Sequence, residues 1–193
     1  EQDVARLHAG LWLHPVRHFA VLAGISGSGK TQLALNYALA LCGDEPGDLE
    51  HIKVIAVQPG WYDQTPLLGH ASALHESVYH STPFLELLRE ASANPSQPYA
   101  VILDEMNLSH PEQYMAQLLS AMELQEHIEL HSIEQEKGGV PARIRYPSNL
   151  VLIGTVNMDE TTHGLSDKVL DRAFTQLFLA ANHFERAAVL AFE

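Results

Sequence analysis

Apolar residues recur along this chain with two different periods, and the switches between them lay out its elements. Phe19 to Ala23, Tyr99 to Leu103 and Leu150 to Thr155 are short continuous apolar runs, the pattern of strands buried on both faces of a parallel sheet. Ile52, Val54, Ile55, Ala56 and Val57 predict a further strand, and Thr175 to Leu179 a last one. Helical spacing fills the intervals. Leu33, Ala34, Tyr37, Ala38 and Leu41 predict a helix directly after the first strand, and the segment from about Thr82 to Ala93 predicts a second. Pro111 opens a third, with Tyr114, Met115, Leu118, Leu119 and Met122 on one stripe that reads as core packing.

Between residues 125 and 147 the pattern changes to two short alternating pieces, EHIELH and ARIRYP, around a turn-rich EKGG. This predicts a hairpin inserted beside the main sheet with its charges facing water. Ser166 is placed as the N-cap of a short helix running to Arg172, and NHFERAAVLAFE predicts a closing helix that looks cut off. In the long interval after the second strand, Trp61 and Tyr62 read equally well as exposed functional aromatics and as anchors of a loop.

The 193 residues suit one α/β domain with a sizeable core. A net charge of −13, from 11 basic and 24 acidic side chains, argues against a broad nucleic-acid-binding face on this piece. Cys42 is the lone cysteine and falls on the apolar side of the helix after the first strand, where a small buried hydrophobe is expected. No signal-peptide pattern and no run of 18 apolar residues is present, so the chain reads as soluble and cytoplasmic, with no membrane contact. The 12 histidines are scattered without zinc-site spacing, and most of them read as solvated surface.

Candidate chemistry concentrates at strand ends. Gly24 to Thr31, GISGSGKT, fits G-x-x-x-x-G-K-[ST] and has the strand before it and the helix after it that a phosphate loop requires. Gly24, Gly27 and Gly29 let the chain curl closely around a triphosphate, with Ile25, Ser26, Ser28 and Gln32 completing the loop and the helix N-terminus facing the anion. Lys30 is expected at the loop surface as a mobile point charge for the β and γ phosphates, and the Thr31 hydroxyl as a ligand of Mg²⁺. The third buried run ends in Asp104 and Glu105, 74 residues beyond Lys30. Asp104 is placed to hold Mg²⁺ through water and Glu105 to polarise the attacking water. Asn157, at the end of the neighbouring run, can share that water. Residues 1–17, with Leu7, Leu11, Trp12, Leu13 and Val16 around Pro15, predict a short helical lead-in that either lies near the base of a nucleotide or caps one edge of the core.

Taken together, these motifs resemble the large subdomain of an AAA+ NTPase. The phrases QPGWYDQTPLLG, LDEMNLSHPEQYMAQLLSAME and GTVNMDETTHGLSDKVLDRAF are similar to the McrB-type branch, related to the dynein and MoxR ATPases. The resemblance covers about residues 17 to 193 and implies a three-layer α/β/α fold, with a mostly parallel five-stranded sheet in the order 5-1-4-3-2. It implies Mg²⁺-dependent ATP or GTP hydrolysis in a ring of six subunits, with a nuclease subunit as partner and DNA contacted through other domains. The alternative it leaves is an ATPase remodelling protein partners. Asn157 takes the sensor position and Arg172 the arginine-finger position. Where many members carry two or three arginines this chain has Asp171, Arg172 and Ala173, so that role rests on Arg172 alone. The helical lid that should follow is absent from the sequence. By the same likeness, the stretch from Gly69 to Pro83 is where a ring ATPase places contacts of its central channel.

Overall fold

The computed structural model describes residues 2–72, 74–75, 78–132, 136, 138–158 and 164–178. Five strands form one sheet: β1 (Phe19–Gly24), β2 (Ile52–Ala56), β3 (Tyr99–Asp104), β4 (Leu150–Asn157) and β5 (Phe174–Phe178). Their spatial order is β2-β3-β4-β1-β5 and every pairing is parallel. This is the 5-1-4-3-2 order of the expectation, read from the other edge.

The continuous apolar runs arise because successive residues feed two separate cores. Phe19, Val21 and Ala23 of β1, Val101 and Leu103 of β3, and Leu150, Leu152 and Val156 of β4 face one layer. That layer contains α3 (Pro83–Ala93) and α4 (Ala116–Leu124), with Ile128 and Ile144 of a separate two-stranded ribbon, His127–Glu129 against Arg143–Arg145. The intervening residues Ala20, Leu22, Ala100, Ile102, Val151 and Ile153 face the other layer, built from α1 (Gln2–Leu11) and α2 (Lys30–Cys42). Two-sided coverage of this kind is what a parallel sheet needs, since its strands have no solvent face. β2 lies at an edge, which leaves Val54 43% exposed.

Several boundaries move for physical reasons. The helix expected after Pro111 is broken into Pro111–Tyr114 and α4, with Met115 between them at φ −103°, ψ 7°. In a straight helix Tyr114 and Met115 would diverge by about 100°. The break lets both reach the core, and the Tyr114 hydroxyl donates to Met106 O at 2.9 Å. The helix after Ser166 is a single turn, Asp167–Leu170, that stops short of Arg172, and the Ser166 hydroxyl makes no cap bond. Thr82 does cap α3, accepting from the Leu85 N–H at 3.2 Å ahead of Pro83 at the first turn.

The interval after β2 is more ordered than its sequence suggests. It contains the turn Thr65–Leu68 and a ribbon pairing His70–Ala71 with Tyr79–His80. Trp61 anchors the loop edge-on against Tyr114 with ring centroids 5.4 Å apart, whereas Tyr62 is 76% exposed. The lead-in takes its edge-capping role: α1 presses Gly10 against the Phe174 ring of β5, and Tyr37 OH joins His8 Nδ1 and Trp12 Nε1 at 3.0 and 3.2 Å. Cys42 is buried, and burial together with the Asp44 charge pushes its thiol up to about 12. Among the described residues no helix is long and apolar enough to cross a membrane. The closing helix expected from NHFERAAVLAFE and the final residue of the last strand, Leu179, lie outside the described residues.

Gly24 has a different task from the one its place in the motif suggests. Its φ is not positive, and a Cβ there would stand 2.4 Å from Phe178 O, so its smallness lets β5 close onto β1. Gly27, by contrast, has φ 73° and open space around the Cβ position. Gly24→Ala is expected to cost about 1–3 kcal/mol by overpacking, against about 1 kcal/mol for the backbone strain of Gly27→Ala. Urea denaturation of both variants checks this; an equal or smaller loss for Gly24→Ala would contradict the tight contact.

Candidate nucleotide site

At the C-terminal edge of the sheet the chain ends of β1, β3 and β4 enclose a cavity of about 260 Å³, lined by Ser26, Gly27, Gly29, Lys30, Thr31, Gln32, Asp104, Glu105, Thr155 and Asn157. They come from the loop after β1, the start of α2 and the ends of β3 and β4, as expected where ligands meet a parallel α/β sheet. β1 runs directly into the loop and Lys30 opens α2 behind Gly29, whose φ of 86° a side chain would resist.

Of the predicted loop residues, Gly24, Ile25 and Ser28 do not line the cavity. They hold Lys30 instead: its Nζ donates to Gly24 O at 3.0 Å, Ile25 O at 2.7 Å and Ser28 Oγ at 3.3 Å. Lys30 is therefore buried, 5% exposed, and not the surface charge the sequence suggested. Three oxygen acceptors draw the ammonium into the concave side of the loop, since a buried cation needs such partners. Gln32 faces the cavity while its amide donates to Asn36 Oδ1 at 2.9 Å.

The acidic pair is fixed by neighbours that the motif does not contain. Asp104 Oδ1 accepts from Thr31 Oγ1 and from Thr155 Oγ1, each at 2.7 Å. The Thr155 hydroxyl in turn accepts from the Glu105 N–H at 2.9 Å. Glu105 has left-handed backbone angles, φ 52° and ψ 46°, a strained state for a residue with a Cβ, and its Oε1 accepts from Asn157 Nδ2 at 2.8 Å. Asn107, 1% exposed, donates to Asn157 O at 2.9 Å, and Met158 N–H donates to Gly24 O at 3.1 Å. The strand ends are thus tied to one another as well as to the cavity.

The structure brings together Thr31, Asp104, Glu105 and Asn157 but leaves Arg172 outside this cavity. Arg172 pairs with the Glu123 carboxylate and donates from Nη1 to Lys168 O at 2.7 Å, with its side chain 20% exposed. That carboxylate comes from α4, distant in sequence, and not from the aspartates beside Arg172. Thr155, 2% exposed, is a further residue of the site that no motif marks. The available signal was a hydroxyl in the otherwise apolar run Leu150 to Val156.

Thr155→Val keeps the shape of that side chain and removes the bridge between Asp104 and Glu105. Leaving a buried donor and acceptor short of a partner costs about 1–3 kcal/mol, so the urea midpoint falls for Thr155→Val and is largely restored in Thr155→Ser. A Thr155→Val protein as stable as the parent would show that the hydroxyl does not hold the pair.

No protein-family model matches this chain, and no curated protein matches it. Among solved structures it is similar to a chain in a closed-state cryo-EM reconstruction of Hsp104 with ATPγS and FITC casein, at 20% identity and a TM-score of 0.55. The likeness covers 86% of this chain and 29% of that one, so this chain spans under a third of its length. The likeness is one of fold, and in this chain that fold is an α/β phosphate-loop fold with helices on both faces of a five-stranded parallel sheet.

Proposed function

We propose that this chain is the nucleotide-binding α/β part of a ring-forming AAA+ motor that hydrolyses ATP or GTP. The observation that carries the reading is the convergence of a glycine loop, a buried ammonium, a hydroxyl–carboxylate pair and an amide-held carboxylate on one cavity.

Thr31 Oγ1 and Asp104 Oδ1 are hard oxygen donors 2.7 Å apart on one wall, the donor chemistry that Mg²⁺ takes. When bound there, Mg²⁺ supplies charge that neutralises the β and γ phosphate oxygens. Lys30 brings a positive charge to the same oxygens from the loop side, and the first turn of α2 offers its N–H groups to the anion. Glu105 takes a proton from the attacking water, and Asn157 keeps its carboxylate turned toward the cavity. Arg172, released from Glu123, reaches the phosphates of a neighbouring subunit as an arginine finger.

The phrase-level likeness favours a McrB-type motor working with a nuclease subunit, with DNA held by domains beyond this piece. The net charge of −13 supports the second reading, a MoxR- or dynein-like ATPase that remodels protein partners. Stimulation of hydrolysis by DNA or by protein in the full-length assembly separates the two.

Lys30→Ala is expected to weaken triphosphate binding by about 10²-fold or more, from the loss of charge-assisted contacts. Glu105→Gln keeps binding and lowers turnover by about 10²-fold or more. Calorimetry and phosphate release measure the two effects. Unchanged affinity in Lys30→Ala, or equal loss of binding and turnover in Glu105→Gln, contradicts the assignment.

In the full-length assembly, Arg172→Ala subunits bind nucleotide but lose about 10³ to 10⁵ in rate. Mixing them with Glu105→Gln subunits restores activity at the sites where an intact Glu105 meets an intact Arg172. Mixed rings that form yet stay inactive, or full turnover by Arg172→Ala alone, contradict a role in trans.

A further inference from the structure

The ribbon between β2 and α3 places two histidines directly opposite each other, His70 against His80. Its other face is the buried one: Tyr79 packs into the core and its hydroxyl donates to Leu68 O at 2.8 Å. Strand alternation therefore puts both imidazoles on the outer, exposed face. Their ring centroids are 4.9 Å apart with an interplanar angle of 29°. Among the described residues no hydrogen bond or ion pair engages either ring.

The backbone fixes this pair from both ends. At one end Gly69, at φ 76°, lies so close to the opposite strand that a Cβ would stand 2.0 Å from His80 O. At the other end the Ser72 N–H donates to Val78 O at 2.9 Å. Two side chains held opposite each other on a closed ribbon lose little freedom on sharing a ligand.

We propose that His70 and His80 chelate one divalent transition cation, of the borderline class that imidazole selects, such as Zn²⁺ or Ni²⁺. A metal about 2.1 Å from each ring nitrogen, added to a ring radius of about 1.1 Å, places two imidazole centroids on one ion roughly 5 Å apart for angles between octahedral and tetrahedral. The separation of 4.9 Å already meets that requirement, and rotation about the soft χ2 torsions turns the nitrogens toward a common point. Water completes the coordination. Mg²⁺ and Ca²⁺ are excluded by their preference for oxygen. Bound metal cross-links the two strands of the segment that leads into α3. This site is separate from the nucleotide cavity, and its existence does not depend on the nucleotide reading.

The test titrates the full chain with ZnCl₂ and NiCl₂ by calorimetry, with MgCl₂ as control, and follows thermal unfolding. A 1:1 event with Zn²⁺ or Ni²⁺ and a rise in Tm of a few degrees are expected, because the ion binds the paired ribbon and not the open chain. His70→Ala and His80→Ala each weaken that event by about tenfold or more through loss of chelation and remove the Tm rise, whereas His75→Ala leaves both intact. In the unmodified protein the His70 and His80 ring resonances move together during the titration. No bound ion, His70→Ala and His80→Ala both binding like the parent, or ring resonances that stay still while other histidines move, would overturn the proposal.

Discussion

A single oxygen, Asp104 Oδ1, accepts hydrogen bonds from two hydroxyls that belong to different elements, Thr31 at the start of α2 and Thr155 on β4. The arrangement is possible only because β4 lies between β3 and β1 and the registers agree. Leu103 pairs with Gly154, and Gly24 pairs with Asn157, so the acidic pair, Thr155 and the start of the phosphate loop arrive at the same height on the sheet edge. A slip of one residue in β4 would carry Thr155 and Asn157 together to the other face of the sheet and dismantle both contacts. The two apolar layers guard against that slip, since it would also exchange every β4 side chain between cores.

The constraint extends to Glu105. Its left-handed backbone costs on the order of 1–3 kcal/mol, and it is held in that state at both ends: the N–H by Thr155 and the carboxylate by Asn157. The turn separates the side chains of Asp104 and Glu105, which a continuing strand would also have sent to opposite faces. One carboxylate stays beside Thr31 and the other faces Asn157. The same edge thereby presents a carboxylate held by two hydroxyls and a second carboxylate held by an amide, on separate sides.

Most of this was legible in the chain because it depends on local patterns. Continuous apolar runs gave β1, β3 and β4, and the glycine motif between a run and a helical stripe located the loop. What escaped reading depends on neighbours distant in sequence. Gly24 looks like a loop glycine, and only the approach of Phe178 reveals its packing role. Lys30 looks like a surface cation until the carbonyls of Gly24 and Ile25 are seen to enclose it. Thr155 carries no motif, because its partners lie some 50 residues away. The break at Met115 and the ribbon at His70 answer to packing and pairing, which periodicity within a short window cannot register.

On the reading proposed above, this sheet edge holds the triphosphate of a nucleotide together with Mg²⁺. Competition of ATP, GTP and inorganic triphosphate against one fluorescent triphosphate analogue, with and without Mg²⁺, tests it most directly on the unmodified chain. At least one of the two nucleotides is expected to displace the analogue stoichiometrically, more tightly with Mg²⁺ than without, and inorganic triphosphate to compete for the same site. Failure of both nucleotides to compete at millimolar concentration, or competition indifferent to Mg²⁺ and to the triphosphate, would contradict it.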